Sequence, residues 1–135
     1  MIQDMRTVFD PLRRKEVALT PEEEVRQWCI KVMSENLGVP LHMMMSEASL
    51  KLGAKQYRAG ILVYDRTLSP VMVVECKRPD VELTPEVLDQ ALRYNMVLNV
   101  RYVAITNGSR TFVCAVDEGK CRFMDTLPKY NEMIK

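Results

Sequence analysis

Histidine is nearly absent from this 135-residue chain, which has one, and there are one tryptophan and five glycines. His42 has no second histidine to work with, so histidine triads, histidine general-base chemistry and histidine zinc sites are excluded. Neither Gly-x-Gly-x-x-Gly nor a Walker-type loop occurs, which removes phosphate binding through a glycine-rich loop. The four cysteines, Cys29, Cys76, Cys114 and Cys121, form no Cys-x-x-Cys pair. Only Cys114 and Cys121 are near each other, at a spacing foreign to zinc sites, and all four are read as structural thiols in a reducing compartment. No apolar run approaches the roughly 18 residues of a membrane span. Met1 to Arg6 lacks the apolar stretch of a signal peptide, so a soluble, cytoplasmic protein is expected. An excess of one charge is missing too: 19 Lys and Arg face 18 Asp and Glu, for a formal charge of +1. Histone-like bulk charge is thereby excluded, and only a local basic patch is left to hold a polyanion.

The length corresponds to one domain over residues 1–135, and 47% apolar with 27% charged residues is ordinary globular composition. An N-terminal arm to about residue 19 precedes the first clear element, with Val8 to Leu19 irregular or a short strand around the basic knot Arg13-Arg14-Lys15. Thr20-Pro21-Glu22-Glu23 is a helix start, a capping threonine with proline at the first helical position and Glu23 closing a capping box. Val25, Trp28, Cys29, Val32, Met33 and Leu37 then recur as one apolar face, ended by Gly38 and Pro40. Ala48, Leu50 and Leu52 alternate with polar residues as in a half-buried strand, and Gly53 turns the chain. In the strand Gln56–Tyr64, Tyr57, Ala59, Ile61 and Val63 should share one face, and Arg58, Gly60, Leu62 and Tyr64 the other. Val71 to Lys77 reads as a central strand, Thr84-Pro85 starts a second helix to about Asn99, and Arg101–Thr106 and Thr111–Val116 form strands around the turn Asn107-Gly108-Ser109. Cys121–Met124 adds a short strand, and the tail from Pro128 a short helix. The order predicts an α/β domain with a mixed sheet of about five strands flanked by helices.

Charge at the end of a buried strand needs a reason, because desolvating it is costly. Glu75 and Lys77 are two residues apart, so both side chains leave the same face while Cys76 leaves the other. A carboxylate there can hold Mg²⁺, and the ammonium beside it can orient a water. A plain ion pair at a strand end is the ordinary alternative.

The surroundings of that pair carry more information. Glu47, the stretch Tyr57-Arg58-Ala59-Gly60-Ile61-Leu62-Val63-Tyr64-Asp65, Val74-Glu75-Cys76-Lys77, Asp89-Gln90-Ala91-Leu92-Arg93-Tyr94-Asn95 and Thr106-Asn107-Gly108 follow in one order. With the opening Leu19-Thr20-Pro21-Glu22-Glu23 and Val25-Arg26-Gln27, this set resembles the N-terminal domain family of type I restriction enzyme R proteins, over residues 9 to 130. The resemblance implies the restriction-endonuclease-like PD-(D/E)XK fold and nuclease chemistry on DNA. By the same likeness Glu47 and Glu75 match metal ligands for Mg²⁺. Glu75 and Lys77 supply the Glu-x-Lys half of the catalytic motif, and Gln90 and Tyr94 its Gln-x-x-x-Tyr pair, one helical turn apart. DNA and other restriction-complex subunits are the implied partners, with Arg58, Lys77, Arg78 and Arg93 as phosphate contacts and Lys51 and Lys55 nearby.

One position departs from the family. Its aspartate, the main metal ligand, is Gly60 here. Asp65 lies roughly 16 Å further along an extended strand and has the opposite parity, so it is no substitute. Asp80 follows Pro79 and matches no family pattern. The expectation is a nuclease-like, DNA-directed domain in which Mg²⁺-dependent hydrolysis is weak or lost, the alternative being a non-catalytic nucleic-acid-binding or structural subunit. Gly60→Asp is expected to return a carboxylate opposite Glu75.

Overall fold

The computed structural model describes residues 6–135. Two threonines start its main helices. Thr20 accepts a hydrogen bond from the Glu23 N–H at 3.1 Å and opens α1 (Pro21–Glu35). Thr84 accepts from the Val87 N–H at 3.3 Å and opens α2 (Pro85–Met96). In each, the proline that follows occupies a position whose N–H would be left without a partner. The second helix stops three residues short of Asn99, which turns the chain with φ of 53°.

Of the two readings of the N-terminal arm, irregular or a short strand, the strand holds, doubled into a hairpin: β1 (Thr7–Asp10) pairs antiparallel with β2 (Lys15–Ala18) as a separate two-stranded sheet. The basic knot is its turn. Arg13 reaches back to Asp10 and out to Glu23 of α1, which seats the hairpin on the helix. After a single 3₁₀ turn (Leu41–Met43) come β3 (Met44–Leu52), β4 (Lys55–Tyr64) and β5 (Pro70–Cys76). β6 (Tyr102–Thr106), β7 (Thr111–Asp117) and β8 (Lys120–Met124) follow α2, and α3 (Tyr130–Met133) ends the chain.

The six strands β3 to β8 lie side by side in chain order, so the sheet has one more strand than the five expected. All neighbours are antiparallel except β5 and β6, which are parallel and joined through α2. Parallel neighbours need such a crossover, because a tight turn cannot reverse the chain twice. Helices cover both faces, so β5 is buried on both, from Val71 through Val74. Under α1 and α3 lie Val25, Cys29, Ile30, Met33 and Tyr130 against Ile61, Val63, Met72 and Val74. Under α2 lie Ala91 and Leu92 against Leu62, Val73, Val103 and Ile105.

Two further expectations need correction. Trp28 is exposed, because the buried stripe of α1 is centred on Arg26, Cys29, Ile30 and Met33 and has a charged residue inside it. Cys114 and Cys121 are joined as a disulfide, not separate thiols. The β7–β8 register pairs Val116 with Cys121 and Cys114 with Phe123, bringing the two cysteine Cα atoms to 5.6 Å, inside the span a disulfide bridges. Cys29 and Cys76 remain free thiols in the core. No helix among the described residues is long and apolar enough to cross a membrane.

Candidate functional site

A cleft of about 560 Å³ opens where β5 ends, between the first turns of α1 and the side of α2. Its floor is a row across three strands. The β3–β4 register pairs Ser46 with Ile61 and Ala48 with Ala59, leaving Glu47 across from Gly60. The β4–β5 register pairs Ile61 with Val74, and one residue further on Gly60 lies across from Glu75.

Side-chain alternation breaks at this row. Ile61 and Val63 belong to the core under α1, while Ala59, two residues earlier, belongs to the core under α2. On β3, Met44 and Ala48 are divided in the same way. Residues an even number apart on a regular strand share a face, so both strands exchange faces at Glu47 and Gly60. The expected grouping of Tyr57 and Ala59 with Ile61 and Val63 is therefore corrected. Tyr57 lies on the α2 side, its ring 5.5 Å from that of Tyr94. Glu47 makes the exchange in the left-handed region, with φ of 51°, a conformation that costs a non-glycine residue about 1–3 kcal/mol. The glycine has its own cause. A β-carbon on Gly60 would lie 2.7 Å from the Val74 carbonyl oxygen, nearer than carbon and oxygen tolerate. Close approach of two backbones, not strand propensity, requires glycine here.

Glu75 and Lys77 point the same way, as their spacing predicts, and Lys77 Nζ stands 3.1 Å from Glu75 Oε2. Glu75 Oε1 accepts from Asn95 Nδ2 at 3.1 Å. Glu47 has separate cations: Arg26 Nη2 donates to its Oε1 at 2.6 Å, and Arg58 Nε lies 3.6 Å from its Oε2. Burial works against the charge on Arg26, but the carboxylates of Glu47 and Glu23 outweigh it and hold the guanidinium pKa above its usual value. On the opposite face the Cys76 thiol is pushed well up by its contact with Cys29 and by burial.

Glu47, Arg58, Gly60, Glu75, Lys77, Gln90 and Tyr94 all line this cleft. Gln90 and Tyr94 stand on its α2 wall, where the Tyr94 hydroxyl accepts from the Arg58 backbone N–H at 3.1 Å. Neither of them bonds Glu75 or Lys77; that contact belongs to Asn95. Arg78 is outside the lining and pairs with Asp80, and Arg93 pairs with Asp89 at 3.0 Å on the solvent side of α2. Lys51 and Lys55 are exposed at the far end of the β3–β4 hairpin. Asp65 caps its own turn, where the Thr67 hydroxyl and the Ser69 N–H hold its carboxyl below the usual range. Neither Asp65 nor Asp80 lines the cleft. Arg26 and Asn95 were missed. Their signal was a polar residue at a buried position of an otherwise apolar helical stripe.

The donor set does not fit a Mg²⁺ centre. Among the described residues no three His, Cys, Asp or Glu side chains gather to hold a metal ion. Glu47 and Glu75 each face a cation of the protein instead of each other's open coordination space, and Mg²⁺ demands a near-octahedral oxygen shell.

Residues 21–128 match the family profile described as type I restriction enzyme R protein N terminus. Among solved structures, a fragment described as an HsdR subunit of a type I restriction enzyme from Vibrio vulnificus YJ016 superposes with a TM-score of 0.62 at 19% identity. The superposition covers 85% of this chain and 24% of that one, so the chain spans about a quarter of its length. At this identity the likeness is one of fold. No curated protein sequence matches the chain.

Proposed function

Because the chain belongs to the family of type I restriction enzyme R protein N termini, we propose that it is a DNA-directed domain with a nuclease-type cleft. Its cleft grips the phosphate backbone, and Mg²⁺-dependent hydrolysis there is weak or lost. The observation that carries this reading is Gly60. It occupies the row between Glu47 and Glu75 and has no room for a side chain, so the carboxylate that would join the two is missing and cannot simply be added. Lys77 and Arg58 line the cleft and supply positive charge for phosphate, while Gln90 and Tyr94 form the wall against which the strand lies. Arg78 and Arg93 are exposed outside the cleft, in place for more distant phosphates. Other subunits of a restriction complex supply whatever this domain lacks, cleavage included.

Binding of this kind is salt-sensitive and largely blind to sequence, since phosphate contacts dominate it. Fluorescence anisotropy with duplex DNA at about 50 mM salt should show association, where exposed charges are little screened. Lys77→Ala and Arg58→Ala should each weaken binding across all sequences and shallow the salt dependence by about one unit of slope. Plasmid DNA incubated with Mg²⁺ or Mn²⁺ should stay intact. Absence of binding at low salt would remove the DNA reading, and robust cleavage would remove the statement that hydrolysis is lost.

A further inference from the structure

One charged group of the cleft has no part in this reading. Arg26 lines the cleft, yet it is only 3% exposed. Its Nη1 donates to Glu23 Oε1 at 2.6 Å, and its Nη2 donates both to Glu22 Oε2 at 2.8 Å and to Glu47 Oε1 at 2.6 Å. Its Nε is buried with no partner. Two of these carboxylates are neighbours on the same helix, as in an ordinary helical ion pair. The third is different. Glu47 comes from β3, and the chain holds it in the left-handed region, where a non-glycine residue is strained. Glu23 has a second cation in Arg13 at 2.6 Å, whereas Glu22 and Glu47 converge on one nitrogen of Arg26.

We infer that Arg26 is the resident cation of this cleft: its guanidinium takes the place between Glu22 and Glu47 to which a divalent cation would otherwise be drawn, and so closes the site to metal. Carboxylate oxygens from two elements are gathered on one nitrogen, which is what a cation site requires, but the cation is covalently part of the chain. A permanently charged guanidinium with several donors suits the task better than an ammonium, and it cannot be lost by deprotonation. The location of the site follows from the cleft described above, but the inference does not depend on DNA being the ligand.

Binding of Mn²⁺ alone to the full chain, read as loss of the free-ion electron paramagnetic resonance signal, tests this. The native protein should leave millimolar Mn²⁺ free, and Arg26→Lys, which keeps a charge in place, should do the same. Arg26→Gln removes the charge on which Glu22 and Glu47 converge and should bind Mn²⁺ at least about tenfold more tightly than the native chain, with competition by Mg²⁺ and Ca²⁺. If Arg26→Gln folds only when Mn²⁺ is added, that too supports the inference, because a ligand that binds the native state stabilises it. Native protein that binds Mn²⁺ as tightly as Arg26→Gln overturns it, as does a folded Arg26→Gln that binds none. The melting temperature of the native chain decides the case in which the variant never folds: it should not move with Mn²⁺, and a rise overturns the inference. DNA anisotropy on the same samples separates this result from the DNA reading, which stands or falls on Lys77 and Arg58.

Discussion

At Gly60 the gap between having a carboxylate and having room for one is a matter of a single atom. The β-carbon of any other residue would press on the Val74 carbonyl oxygen at 2.7 Å, and that oxygen belongs to a strand buried on both faces, which cannot move aside alone. Gly60→Asp should therefore cost about 1–3 kcal/mol, the usual range for overpacking a filled interior, and urea unfolding reads it directly. The variant should not gain cleavage, although the family resemblance makes that substitution the return of a carboxylate opposite Glu75. Asn95 makes the complementary case. It is fully buried and donates to Glu75 and to the Ala91 carbonyl oxygen. Asn95→Ala should lower stability by about 1–3 kcal/mol, since a bond to a charged group is lost inside the protein. Gln90→Ala, on an exposed residue of the same helix, should change stability by no more than about 0.5 kcal/mol. Equal effects from the two would mean that Asn95 does not hold Glu75.

The β7–β8 hairpin is the element whose chemistry the sequence hid. Cys114 and Cys121 look unrelated when only their spacing is considered, because the pairing depends on where the turn between the strands falls. That turn places Cys121 opposite Val116, on the face that Cys114 also uses. In the loop-entropy account, closing so short a loop stabilises the chain by about 2–3 kcal/mol. Cys121→Ser should lower the melting temperature accordingly, and reductant should do the same to the native protein and nothing to the variant. Thiol titration of protein denatured without reductant should count the two free cysteines, Cys29 and Cys76. The helices behave otherwise, since their starts were legible in full: threonine, proline and the N–H three residues on from the threonine are set by neighbours in the chain. Strand faces were legible only up to the row of Glu47 and Gly60, because nothing in the alternation of β4 announces that both strands turn over there.

A chain of ion pairs joins the N-terminal hairpin to the cleft: Asp10 to Arg13, Arg13 to Glu23, Glu23 to Arg26, Arg26 to Glu47, and Glu47 to Arg58. It runs through β1, α1, β3 and β4, so the hairpin and the cleft share one electrostatic network. Asp10 is its buried end. Burial raises its pKa, but bonds from Arg13 and from the Leu12 N–H outweigh this and hold it below the ordinary 3.8. A carboxyl lowered in the folded state adds stability above the unfolded value and gives it up as pH falls through the folded one. Stability to urea should therefore decline as pH drops below about 4, the usual carboxylate range. Asp10→Asn should be less stable than the native protein at neutral pH and show a shallower acid decline. An identical acid decline in the variant would place the sensitive carboxyl elsewhere.

Helix starts, the order of strands, the common face of Glu75 and Lys77 and the one-turn spacing of Gln90 and Tyr94 all follow from periods of two to four residues. Such spacings are written into neighbouring positions, and they hold however the elements later pack. The partners of those side chains are another matter. That Glu47 meets Arg26, that Asn95 and not Gln90 reaches Glu75, that Trp28 faces solvent, and that Gly60 lies against Val74 depend on registers between strands and on which side of a helix is buried. Those are contacts between residues 14 or more positions apart, or choices between faces that differ by one residue of rotation. Local pattern leaves them open because several registers satisfy it equally, and the packing of the whole core selects one.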